Sequence, residues 1–164
     1  MNALDWLNRA VTGVLKALVV ASLAAMSVLT VIDAGGRYLL NRPVAGSVEL
    51  TELLMVALIF ASIPLVTAAR GHVVVDSFSG LVPSHFRRAQ QTLAHLLACG
   101  ISVLLAAVAL KKAASVADYG DMTPMIGIPL APFVYLMGTL LALNALLHAA
   151  HGIGVILPSR GPHD

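Results

Sequence analysis

The chain has 164 residues, of which 59% are hydrophobic and 11% charged, with a formal net charge of +2 and a mean hydropathy of +0.90. Ten basic and eight acidic side chains do not coat a soluble domain of this size, whereas a bilayer accepts an apolar exterior, so the composition excludes an ordinary water-soluble fold. The basic residues fall singly or in pairs rather than in a stripe, which excludes a nucleic-acid footprint. The lone Cys99 excludes an intramolecular disulfide or a Cys-pair zinc site and reads as a small core residue.

A helix needs roughly 20 mainly apolar residues to cross a hydrocarbon core about 30 Å thick. Four such spans are predicted, at about residues 11–34, 50–70, 90–112 and 129–156. The first is interrupted only by Lys16, near enough to its start to extend its amine to the headgroups. Its apolar run is longer than a secretory signal core and no small-x-small site follows it before Asp33 and Gly35, so it is expected to persist as an uncleaved span. Asp33 and Arg37, an acid four residues before a base, suit a helical ion pair that anchors the helix end. Arg42-Pro43 is expected to end the helix, because proline disfavours helical geometry in the residue before it.

Ser47 is placed to cap the second helix. Glu49 and Glu52 lie in its opening turns, where the positive end of the helix dipole favours carboxylates, and being three apart they share a face. Pro64 removes a backbone hydrogen bond inside this span and predicts a bend. Gly80 and Pro83 punctuate the second connection. The third span carries His95 near its start and is followed at once by Lys111 and Lys112. Gly120, Pro124 and Gly127 turn the third connection, and Pro129 and Pro132 suit the first turn of the last helix, whose leading amides have no intrahelical partner to lose. Ala21, Ser22, Ala24 and Ala25 in the first span, with Gly138 and Ala142 in the last, permit close helix approach.

The predicted fold class is an all-α integral membrane protein, a single membrane domain of four transmembrane helices with short loops and almost no folded mass outside the bilayer. Arg9, Lys16, Arg70, Arg87, Arg88 and Arg160 fall on one side of alternating spans and Arg37, Arg42, Lys111 and Lys112 on the other, which places both termini in the cytoplasm.

Ionisable groups deep in a membrane helix are costly and usually functional. None is predicted at mid-depth, which makes an autonomous ion-coupled transporter a poor fit, although a small transporter acting as an oligomer stays a possible reading. His95 and His148 are expected at similar depths, with His151 nearby. Two such imidazoles suit the axial positions of a haem, so a haem-b-bearing membrane anchor of a redox complex is the rival from another class. There is no phosphate loop, nucleophile elbow or zinc-ligand pattern. The chain is therefore read as no enzyme, with no catalytic residue, metal or cofactor of its own.

The order of residues around the second span resembles a known family. Gly36-Arg37-Tyr38-Leu39-Leu40-Asn41-Arg42-Pro43, Ser47-Val48-Glu49-Leu50-Thr51-Glu52 and Arg70-Gly71-His72-Val73-Val74-Val75-Asp76, followed by Leu81-Val82-Pro83 with Arg87 and by Gly127-Ile128-Pro129, are similar to the small membrane subunit of tripartite ATP-independent periplasmic (TRAP) transporters. The resemblance runs from about Val11 to Leu157. Where that family often has an aromatic residue just before the acidic pair, this chain has Ala45 and Gly46.

The resemblance implies an accessory subunit of a secondary transporter in the bacterial inner membrane, importing an organic acid on a sodium gradient. A periplasmic binding protein would deliver the substrate, and a large multi-span permease subunit would hold the substrate and sodium sites. This chain is then expected to bind no substrate, and Arg37, Arg42, Glu49, Glu52, Arg70, His72 and Asp76 become its candidates for partner contact or structural support.

Overall fold

The computed structural model of the chain describes residues 3–68 and 84–156, with side chains at 9–68, 90 and 92–152. Among these residues the chain forms four helices, α1 (Ala3–Leu39), α2 (Ser47–Ala68), α3 (Ser84–Tyr119) and α4 (Ala131–Ile156). Each is long and apolar enough to cross a membrane. Arg70, His72, Asp76, Gly80 and Pro83 lie outside the described residues, as do Arg160 and the side chains of Arg87 and Arg88.

The helices outrun the apolar spans. At 1.5 Å per residue, the 37 residues of α1 extend about 55 Å and the 36 of α3 about 54 Å. In particular α3 passes Lys111 and Lys112 and continues to Tyr119. A charge ends a membrane span, but it does not end a helix. Lysine is a good helix former, and the alanines at 113, 114 and 117 sustain the coil until Gly120. There the Gly120 N–H bonds the Ala117 carbonyl and the Asp121 N–H bonds the Val116 carbonyl, both at 3.2 Å. This double closure needs a left-handed residue, which Gly120 supplies at φ 66°.

The other ends follow local chemistry too. The Gly36 carbonyl takes the N–H groups of Leu40 and Arg42 at 3.1 and 3.0 Å, and Asn41 between them turns left-handed at φ 52°. Thus α1 stops at Leu39, just ahead of Arg42-Pro43. Ser47 is the first residue of α2 rather than its cap. Gly46 takes that place, accepting the Leu50 N–H at 3.0 Å. Pro132 sits in the first turn of α4, and Pro64 is fully buried within α2, which carries on to Ala68.

Packing is sequential across space rather than closed. α1 lies on α2, α2 on α4, and α4 on α3. Among the described residues no other helix pair meets, so the order is α1–α2–α4–α3 with α1 and α3 at the edges. Leu15, Ala61 and Leu140 join the first three of these helices, and Ala106, Ala109 and Leu141 join α3 to α4. Small side chains at the contacts let the backbones approach, which matters in lipid because no hydrophobic force drives helices together there. A Cβ on Gly138 would lie 2.7 Å from Leu110 Cδ2 and 3.2 Å from the Leu110 backbone nitrogen. Ala142 packs in the same seam. In α1 only Ser22 of the small run is buried, whereas Ala21, Ala24 and Ala25 face outward. Outward positions also hold Val20, Leu23 and Val31 on α1 and Leu97, Leu104 and Val108 on α3. That is the exterior of a protein whose solvent is hydrocarbon.

Candidate functional site: a hydrogen-bonded rim and a buried polar node

The first and third connections lie at the same end of the helices and are welded into one rim. Its first hub is Asp33, near the end of α1. One carboxylate oxygen accepts from Arg37 at 2.8 Å and the other from the Val44 N–H at 2.9 Å. The helical ion pair expected from the sequence is thus present, and it also ties α1 to the chain entering α2. The turn is tight. A Cβ on Gly36 would stand 2.7 Å from the Arg42 carbonyl oxygen.

Glu49 is the second hub. Its two carboxylate oxygens accept the N–H groups of Met125 and Ile126, at 2.7 and 3.1 Å. The Gly46 N–H meets the Met125 sulfur at 3.2 Å. Glu49 therefore clasps the third connection from the start of α2, a long-range role that its place in a first helical turn did not reveal. The third connection is itself ordered. Thr123 Oγ1 accepts the Ile128 N–H at 3.0 Å, and the Thr123 N–H bonds the Ile128 carbonyl at 2.9 Å. Gly127 turns left-handed between them at φ 66°. Gly46, also left-handed at φ 75°, presses on this turn so closely that a Cβ there would be 2.4 Å from Ile126 Cγ2. In the stretch where the resembled family often has an aromatic, Gly46 here has no room for even a methyl group.

The candidates accordingly divide. Glu49 and Asp33 with Arg37 serve the chain's own rim, whereas Arg42 and Glu52 are exposed. Around them are exposed Tyr38, Leu39, Leu40, Tyr119, Met122 and Met125. The stretch Ala113–Tyr119 adds about 10 Å of helix beyond the lysine pair. The rim thus stands as a small folded platform beyond the lysine level, more than the sequence suggested.

Deeper between the helices, away from the rim, a buried node is polar without being charged. Asn144 of α4 accepts the Thr67 hydroxyl of α2 on Oδ1 at 2.7 Å and donates from Nδ2 to Ser102 Oγ of α3 at 2.9 Å. All three side chains are buried. One asparagine therefore ties three helices. The signal was available in the sequence, since an amide within an uncharged helix must find partners when the solvent offers none. Its partners were not available, because hydroxyls occur in every span. We expect Asn144→Leu to lower the unfolding free energy in detergent by about 1 kcal/mol, the scale of a pair of intramembrane hydrogen bonds. No change in thermal midpoint would show the node to be incidental.

Beyond the node, the ring nitrogens of His95 and His148 approach to 3.4 Å, Nδ1 to Nδ1, and the His95 and His151 rings lie 6.0 Å apart between centroids. The sequence placed these residues at one depth, and the structure brings them together. Axial haem ligation needs two imidazoles on opposite faces of a flat macrocycle. Here they meet directly, and a Cβ on Gly152 would be 3.5 Å from the His95 Cβ, so α3 and α4 are in close contact at this level. No group of three His, Cys, Asp or Glu side chains able to hold a metal occurs among the described residues. Cys99 rests against the Ala145 carbonyl at 3.5 Å, in the α3–α4 seam.

Four apolar helices, a polar interior and a charged rim define a multi-pass membrane protein. The model of the DctQ component of tripartite ATP-independent periplasmic transporters matches residues 26–156, and the chain belongs to that family. It is thus the small permease subunit type of a TRAP transporter, and the resemblance read from the sequence is confirmed. No curated protein matches the chain. The family is a transporter component, not an enzyme family, and works with a large permease and a periplasmic binding protein.

Proposed function

We propose that this chain is the scaffold subunit of a TRAP-type importer of an organic acid in a bacterial inner membrane, with both termini cytoplasmic and the rim on the periplasmic side. The large permease subunit holds the substrate and sodium sites, and the sodium gradient drives uptake. The observation that carries this reading is where the charge lies. Lys16 is the deepest charge on α1, exposed, and no other follows it before Asp33. The buried polar groups that bond between helices include the neutral Asn144, Thr67 and Ser102. Coupling to an ion gradient calls for a charged or densely coordinating site at mid-depth, so the chain supplies anchoring and a docking rim while the chemistry resides in its partner.

Arg42 and Glu52 are exposed rim charges outside the Asp33–Arg37 ion pair, and they are suited to pair with the large subunit or the binding protein. The double reversal Arg42→Glu with Glu52→Lys is expected to reduce uptake and co-purification with the large subunit several-fold while leaving the thermal midpoint of the isolated chain unchanged. Undiminished uptake and assembly would remove these residues from the interface. Uptake by this chain alone in liposomes would replace the scaffold reading with autonomous transport.

A further inference from the structure

The exposed residues of α2 are Val48, Glu52, Met55, Ile59, Ile63 and Val66. Their spacing of three and four places them on one line along the helix. The line starts at the rim and ends at a crevice of about 340 Å³ between α2 and α4, lined by Ser62, Ile63, Val66, Thr67, Asn144 and His148. The crevice lies near mid-depth. Its Asn144 bonds Ser102 of α3, which precedes Lys111 by nine residues, about 14 Å of helix in a hydrocarbon core about 30 Å thick. Asn144 also brings a spare donor. Its amide has two N–H groups, of which one goes to Ser102, while its oxygen accepts from Thr67. The second N–H has no hydrogen-bond partner among the described residues, on a side chain 4% exposed. A donor left so in hydrocarbon is costly.

At this depth lipid offers only methylene groups and no acceptor. A water could accept from Asn144 but would bring nothing to Glu52, the exposed charge that heads the same line. A protein partner meets both ends. A carboxylate facing a neutral amide at mid-depth would be costly, which selects an uncharged amide or hydroxyl oxygen. The crevice has room for one such side chain, and the apolar line beside it suits the helix that carries it, since rows three and four apart interdigitate when helices cross at about 20°. We propose that a transmembrane helix of the large permease subunit lies along Met55, Ile59, Ile63 and Val66 and inserts an amide or hydroxyl side chain that accepts from Asn144. This contact presupposes the scaffold role of the chain and gives it a face, a depth and a chemistry.

The test uses the full-length chain co-expressed with its large permease subunit, in cells whose uptake is measured alongside. A benzophenone side chain is placed singly at Ile59 or Val66, or at the exposed Leu23 of α1 or Leu104 of α3. Irradiation is expected to join positions 59 and 66 to the large subunit at least about five-fold more than positions 23 and 104. The adduct at 66 should map within one helical turn of an Asn, Gln, Ser or Thr in a membrane helix of the large subunit. Replacing that residue with alanine should weaken association about five-fold, the effect of one neutral hydrogen bond. Val66→Trp, which fills the crevice, should weaken it at least as much without shifting the thermal midpoint of the isolated chain. Adducts at 59 and 66 only to lipid or to a second copy of this chain, equal yields at 23 or 104, or undiminished association of Val66→Trp would overturn the site. If assembly and uptake persist alongside any of these results, the scaffold reading stands without it, whereas failure of the unmodified chain to associate with the large subunit would remove both.

Discussion

Replacing Glu49 with alanine is expected to destabilise the isolated chain by about 2 kcal/mol, because it removes both acceptors that hold the third connection to the start of α2. Hydrogen bonds to a charged group contribute about 1.5–3 kcal/mol each when well shielded, and partial exposure at the rim reduces that. Glu49→Gln retains one oxygen for two amides and should fall between the wild type and alanine. Hydrogen exchange separates this from a general loss of stability. The N–H groups of Met125 and Ile126, bonded to Glu49 at 2.7 and 3.1 Å, should lose protection, whereas those of Gly120 and Asp121, whose bonds lie within the α3 terminus, should keep it. Glu52→Ala at the neighbouring exposed acid should change stability by less than about 0.5 kcal/mol. Equal effects at 49 and 52 would mean that the clasp contributes nothing beyond surface charge.

The second large effect belongs to the α3–α4 seam. Gly138→Ala should cost about 1–3 kcal/mol and Gly138→Leu more, since the added carbon meets Leu110 at 2.7 Å and its backbone nitrogen at 3.2 Å. A side chain can rotate away, but the backbone retreats only if the helices part. Parting them would also pull Ser102 from Asn144 and His95 from His148, both of which depend on the same approach. Gly100 provides the contrast. It lies in α3 with nothing within 4 Å of its missing Cβ, so Gly100→Ala should raise stability by up to about 1 kcal/mol through helix propensity alone. Thermal unfolding of the three variants in one detergent decides the matter, and a stabilising Gly138→Ala would show that the seam has slack.

The two hubs also explain how a chain with so few charges arranges them. Glu49 gives both carboxylate oxygens to the third connection, and Asp33 gives one to Val44 of the first connection and one to Arg37 of its own helix, which fixes the platform on which the outward Arg42 and Glu52 stand. A partner meeting this rim encounters a surface already ordered, and ordering costs are then not charged to binding. Apolar groups such as Tyr38, Leu40 and Met125 lie beside those charges, the mixture of apolar patch and polar surround usual in protein contacts.

Four crossings, their order and the interfacial placing of charge were legible in the chain itself, because lipid imposes a length and an apolar content on every span that each segment must meet alone. The Asp33–Arg37 pair was legible for a similar reason, as spacing along one helix sets it. Packing was different. That Glu49 reaches Met125, that Asn144 chooses Thr67 and Ser102, and that α4 rather than α3 lies beside α2 depend on which helices touch, and in a bilayer uniform apolar surfaces carry no preference for one neighbour over another. Only the few small or polar residues break that degeneracy, through close approach and directed hydrogen bonds, and those partners exist only once the helices are assembled.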